Sequence, residues 1–198
     1  MFQHLIEGRC KMNLYQSLSK YEPYNEQEEK DKKIMLQCLE QYDDLYTREN
    51  ELIHITSSAF VVNRDRDKSL MVHHNIYNSW SWTGGHADGD KDLIYVAKKE
   101  VMEETGLEDI KVVSEDFASI DMLPVLGHRK NGMYVAPHLH MSIAYIVEAR
   151  EDEEVTIKPD ENSDVRWIPF DEVTTFSSEE HMNYLYNKIM SKIKEFNL

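Results

Sequence analysis

The sequence predicts an α/β layer sandwich built on a mixed β-sheet, with a helical extension before it. Three observations predict it: helical periodicity ahead of residue 50, β-type segments with turn signals after residue 52, and an amphipathic helix at the end of the chain. The 198 residues, 23.4 kDa, suit one domain with an appendage. We divide them as a helical extension over residues 1–50 and a main domain over residues 51–198.

Within the extension, Asn25 is placed to cap a helix. The run from Glu26 spaces Ile34, Leu36, Cys38, Leu39, Tyr42 and Leu45 at helical intervals behind a charged first turn. From Leu52 the texture changes. LIHITSSAFVVN and KSLMVHHN, separated by Asn63 to Asp67, read as a strand, a loop and a returning strand. A third apolar stretch, IYNSWSW, runs into Thr83-Gly84-Gly85, and a helix is expected from about Asp90 to Thr105. Gly106 stops it, as the residue type that closes helices in the left-handed conformation. Further strands are expected near 110–114, 118–126, 138–148 and 164–168. The closing helix carries a capping box, Ser177 with Glu180, before Leu185, Ile189, Ile193 and Phe196.

Composition narrows function. With 41% hydrophobic and 30% charged residues the chain can build a core, so disordered and fibrous classes are excluded. Its 22 Lys+Arg against 37 Asp+Glu give a net charge of -15, which opposes nucleic-acid binding, a task that needs a basic face. No apolar stretch approaches the length of a membrane span, and Glu7 and Arg9 interrupt what would be a leader, so a cytoplasmic protein without a membrane partner is expected. Cys10 and Cys38 are too few for a disulfide framework and read as buried small hydrophobes. Residues 151–180 hold eleven acids and two bases. They read as a solvated face, with divalent-cation binding as the other reading.

The segment that carries chemistry is Gly84-Gly85-His86-Ala87-Asp88-Gly89-Asp90 with the helix after it. At about 100° per residue, Glu100, Glu103 and Glu104 share one arc, and Glu100 and Glu104 form a like-charged i,i+4 pair that calls for a cation. Leu93, Val96, Ala97 and Val101 supply the opposite, packing face.

Gly85 through Leu107 resembles the Nudix box, with Gly85, Glu100, Val101, Glu103, Glu104, Gly106 and Leu107 in their places. Two positions depart: Lys91 stands where the first glutamate is expected, and Lys99 where arginine is expected. Asp90 and Asp92 flank Lys91 and are alternatives for its missing carboxylate. The run from His54 through GGHADGD is similar to a group within the superfamily that carries GGHADGD in its box, and the resemblance spans roughly residues 52–168. It implies a Nudix-type α/β/α sandwich. It also implies an enzyme that hydrolyses a diphosphate bond in a nucleoside diphosphate linked to another moiety, with Mg²⁺ or Mn²⁺ as cofactor and a metal-activated water as nucleophile. Carried onto this chain, Glu100, Glu103 and Glu104 hold metal or activate water, the Gly85 carbonyl is a ligand, and Lys99 braces the glutamates. Glu161, six residues before Trp167, is the expected additional carboxylate. The general base is assigned to the glutamates as a group.

Other candidates face the substrate. His138 and His140 alternate onto one strand face, an arrangement that suits a transition-metal pair or substrate hydrogen bonding. No third soft ligand stands near them in sequence, and the carboxylate box favours a hard ion. His86 reads as an exposed loop histidine. Trp80, with Trp82, could stack a base or pack in the core. Arg129 and Lys130 could reach a phosphate from their loop. Two rival readings have other chemistry: a regulatory protein that binds a nucleotide without turnover on a Nudix fold, and an acidic partner-binding module worked by residues 1–50. The amphipathic N-terminal helices predict a homodimer.

Overall fold

A computed structural model describes residues 13–130, 132–196 and 198. Cys10, one of the two expected buried thiols, lies outside the described residues, as does the start of the extension; Cys38 is half-buried and free. In chain order the elements are α1 (Leu14–Lys20), α2 (Glu26–Gln41), β1 (Ile53–Val62), β2 (Lys68–His74), β3 (Ser79–Ser81), β4 (Thr83–His86) and α3 (Leu93–Thr105). They continue with β5 (Ile110–Val112), β6 (Ser119–Val125), β7 (His128–Lys130), β8 (Met133–Val135), β9 (His138–Ala149), β10 (Asn162–Pro169), α4 (Val173–Phe176) and α5 (Glu180–Phe196).

The sheet runs β10-β2-β1-β9-β5, with β3 on β2, β4 on β1 and β6 on β9, while β7 and β8 form a separate hairpin. β1 and β9 are parallel over ten residue pairs, Ile53 to Leu139 through Val62 to Glu148, and the other pairings are antiparallel. β1 is buried along its whole length because helices cover both faces, which explains why its sequence reads as a continuous apolar and small-polar run rather than an alternation. Ile53, Ile55 and Val61 point into the core shared with α1, α2 and α3. Phe60 and Val62, of the other parity, point into a second core closed by α4 and α5. The expected α/β/α sandwich with an N-terminal helical extension is the observed fold.

Local chemistry accounts for the element ends. Asn25 accepts the Glu28 amide at the start of α2, and Asp92 accepts the Tyr95 amide at the start of α3, so α3 begins three residues after Asp90. Gly106 ends α3 at φ 74°, and a Cβ there would also collide with the Thr156 hydroxyl. The Ser177 capping box is corrected. Ser177 instead closes α4, its amide donating to the Val173 carbonyl, its hydroxyl has no hydrogen-bond partner, and α5 starts at Glu180. The strand expected near 138–148 is joined at its start by a β7–β8 hairpin, where a plain loop was expected.

α2 is anchored to the main domain by a buried ion cluster. Lys188 of α5 lies 3.1 Å from Glu28 and 2.5 Å from Asp121 of β6, and Lys192 lies 3.3 Å from Glu28. Tyr21 donates to Glu28 as well. Leu18, Met35 and Leu45 join the α3-side core, so the described part of the extension enlarges that core.

Candidate active site

The glycine turn and α3 are held together by two contacts. Gly84 N–H donates to Glu104 Oε1 at 2.9 Å, and the position of a Cβ on Gly85 lies only 2.5 Å from the carboxyl carbon of Glu100, so only glycine leaves room for that carboxylate. On the same strand pair, Ser57 donates to the Leu93 carbonyl and fixes the start of α3 beneath β1. Glu100 and Glu104 are therefore buried side by side against β4, 9% and 4% exposed.

Glu161 reaches this pair from the loop before β10. One carboxylate oxygen from each of Glu100, Glu104 and Glu161 lies within 4.8 Å of the others. Asn162 makes the approach possible: its fully buried side chain donates to the Glu104 carbonyl at the end of α3 and accepts the Lys158 amide, while Asn75 N–H donates to the Glu161 carbonyl. Glu103, by contrast, is 41% exposed at its side chain and is not one of the three that converge. It pairs with Lys99 at 3.6 Å and Lys158 at 3.3 Å. Lys99 also stands 3.9 Å from Glu100, so the lysine that replaces the expected arginine still neutralises two box glutamates, by charge rather than by a two-pronged fork.

Burial dominates the electrostatics. It pushes the Glu104 carboxyl up to about 8, with Glu100 and Glu161 adding to the rise and the Gly84 N–H opposing it; it also raises Glu100. Among the described residues no lysine or arginine pairs with Glu104. Three converging carboxylates, one of them deeply buried, form an all-oxygen donor set whose mutual repulsion a hard divalent ion relieves, and the residues present fit Mg²⁺ or Mn²⁺. Asp90 and Asp92 do not replace the missing first glutamate in this set. Asp90 accepts the Asp92 amide, Asp92 caps α3, and Lys91 lies over the Tyr46 ring.

A cavity of about 410 Å³ is lined by Arg48, Tyr77 and Tyr134 and floored by His54, His138 and His140. Arg48 forms a two-pronged ion pair with Asp88, a residue of the GGHADGD turn at φ 47°. That pair raises the Arg48 guanidinium, with smaller contributions from Glu100 and Glu161, while burial above all, and Arg48 in small part, opposes protonation of His54 and His140. Arg48 lines the cavity beside the glycine turn. Neither Arg48 nor Lys158 was expected as a site residue. Forty residues separate Arg48 from Asp88, whereas Lys158 carried a signal, as one of only two bases in the acidic run and three residues from Glu161.

The structure corrects the expectation for the histidines. His86 is half-buried at the end of β4, and with His54 it joins His138 and His140, so the pair has two further soft ligands beside it. Arg129 is exposed and donates to the Gly132 carbonyl within its hairpin; His128 of the same strand lines the cavity instead. Trp80 packs against Phe176 with Arg166 over its ring, and Trp82 packs on Tyr186, so both serve the α4–α5 side of the molecule.

A NUDIX domain model matches residues 36–189. The fold is similar to that of an Ap4A hydrolase from C. elegans, with TM-score 0.54 and 14% identity over 72% of this chain and 98% of that one. It is also similar to a NUDIX-family hydrolase from Clostridium perfringens (0.51, 17% identity, 71% and 97% covered) and to RenU, a Nudix hydrolase from M. smegmatis (0.50, 13%, 73% and 85%). No curated protein matches in sequence.

Proposed function

This chain belongs to the NUDIX domain family, and from that premise we propose that it is a Mg²⁺- or Mn²⁺-dependent pyrophosphohydrolase. Its substrate on this reading is a nucleoside diphosphate linked to another moiety, cleaved at the diphosphate anhydride. The observation that carries the reading is the convergence of Glu100, Glu104 and Glu161 from two separate elements, with a buried glutamate that lacks a cationic partner among the described residues.

Those three carboxylates, with the Gly85 carbonyl, would hold the cation. When bound, the cation neutralises the diphosphate, polarises the phosphoryl group and lowers the pKa of an attacking water. The chain's own residues then do the following. Gly84 N–H orients the Glu104 carboxylate. Lys99 and Lys158 restrain Glu103 and Glu161 at the rim and reduce the repulsion that a polyanion meets there. Arg48, held by Asp88, adds a fixed positive charge at the cavity wall where a phosphate can be paired. The cavity, in the size range of small-ligand pockets, takes the organic half of the substrate, with Tyr77 and Tyr134 offering aromatic surface. The general base is one of the box glutamates. A cytoplasmic setting suits the free thiol of Cys38, and no helix among the described residues is long and apolar enough to cross a membrane.

Assay of a panel of nucleoside diphosphate derivatives with magnesium and with chelator tests this function. Magnesium-dependent release of phosphorylated products is expected. Tight nucleotide binding with no turnover under any divalent ion would replace the enzyme with a sensing protein.

A further inference from the structure

On the face of the sheet opposite α3, at the cavity floor, four histidines converge from three strands. His54 and His140 are direct partners across the parallel β1–β9 pairing, His138 lies two residues along β9, and His86 ends β4 opposite Thr56. All four offer a ring nitrogen within 4.8 Å of the others, and the His54 ring lies 4.7 to 5.0 Å from each of its three neighbours.

Two of the rings are held with a lone pair toward the centre. His54 Nδ1–H donates to the Asn50 carbonyl at 3.0 Å and His138 Nδ1–H to the Ala136 carbonyl at 2.8 Å, which leaves Nε2 of each as an acceptor. Backbone carbonyls fix metal-binding imidazoles in this way. His54 is 4% exposed, and its buried Nε2 has no hydrogen-bond partner, so its lone pair is desolvated with nothing in the chain to satisfy it. His138 Nε2 accepts from His140 Nε2–H at 3.2 Å, a proton that an ion held by both rings would displace. Two nitrogens on a tetrahedral ion at about 2.0–2.1 Å are about 3.3–3.4 Å apart, so this spacing is already that of one edge of such a site.

We propose that His54, His86, His138 and His140 form a second metal centre, for a borderline ion of the zinc class, chemically distinct from the carboxylate site. The donor sets divide the ions: imidazole selects zinc and its late first-row neighbours, carboxylate selects magnesium and manganese. Arg48, the cation that shares this cavity, is neutralised by Asp88, and Glu51 also lines the cavity, so the local charge admits a divalent ion. The ion ties β1, β4 and β9 together beneath the place assigned above to the organic half of the substrate. The metal site does not depend on that assignment.

Zinc titration of the full chain in excess magnesium, read by bound-metal content and thermal melting, tests it. Wild type should retain one zinc per chain. At a hundredfold excess over its Kd, zinc should raise the melting temperature by roughly 5–10 °C. His138→Gln/His140→Gln should lose the ion, and His86→Gln, a milder change at a half-buried position, should weaken binding by about tenfold to a hundredfold or more. Glu104→Gln should leave zinc binding unchanged, which separates this site from the hydrolytic one. Wild type that takes up no zinc overturns the proposal, as does zinc that survives the folded His86→Gln variant at full affinity or is lost with Glu104→Gln.

Discussion

Gly84 presents its amide N–H to Glu104 Oε1 at 2.9 Å, so the glycine turn itself orients the most deeply buried carboxylate of the site. Glu104→Gln keeps an oxygen that can accept this bond and removes the charge. Turnover should fall by about 10²-fold or more, while the melting temperature stays at or above that of wild type because a buried, repelled carboxylate is gone. Steady-state kinetics beside a thermal melt check this; a fully active variant would remove Glu104 from the site.

Gly85→Ala tests the neighbouring contact. The new methyl would meet the Glu100 carboxylate, the far end of a flexible side chain, so the fold can yield at small cost while the carboxylate moves. Stability should change by less than about 1 kcal/mol and activity should drop at least about tenfold, since displacements of an ångström matter at catalytic groups. Urea unfolding and initial rates on the same preparation distinguish this from simple misfolding.

Asn162→Ala should act through position. Removing the buried amide leaves the Glu104 carbonyl and the Lys158 amide without their partner, at a cost of about 1–3 kcal/mol, and frees the loop that carries Glu161. The magnesium concentration needed for half-maximal rate should rise in this variant. An unchanged magnesium requirement would limit Asn162 to a structural role.

The buried cluster of Glu28, Asp121, Lys188 and Lys192 gives a pH prediction. Burial raises the Glu28 carboxyl, but Lys188, the Tyr24 amide, Lys192 and the Tyr21 hydroxyl together outweigh it and hold the group below its ordinary 4.5. A lowered folded value means that this stabilisation is complete above about pH 4.5 and is lost as pH falls through the folded value. Burial pushes Asp121 the other way, up from 3.8, so its contribution is fullest below that pH and fades as pH rises through its folded value. Glu28→Gln should therefore cost about 3–5 kcal/mol at pH 7, where it leaves Asp121 as the one carboxylate beside two buried lysines, and progressively less toward pH 3. Denaturant unfolding at the two pH values measures the difference.

The elements that sequence reasoning placed well are those governed by local chemistry. Asn25 and Gly106 mark helix ends by their own hydrogen bonds and backbone preference, and the run from Ile53 to Val62 lacks a polar alternation because it is covered on both sides. Glu161 could be anticipated from its spacing to Trp167, and the structure sets it beside Glu100 and Glu104. What sequence could not supply was relative position across the sheet. The His54–His140 pairing depends on the parallel register of strands 86 residues apart, and the Arg48–Asp88 fork joins the extension to the glycine turn. Glu103 shares an arc of α3 with Glu100 and Glu104, yet it pairs with Lys158 from a distant loop rather than joining the converging three. Ser177 matched a capping box, but the turn of α4 before it had already taken its backbone.

Anomalous scattering from crystals soaked in manganese tests the central claim most directly. A manganese peak bounded by the carboxylates of Glu100, Glu104 and Glu161 is expected. Those three side chains splayed apart with no ion between them would contradict it.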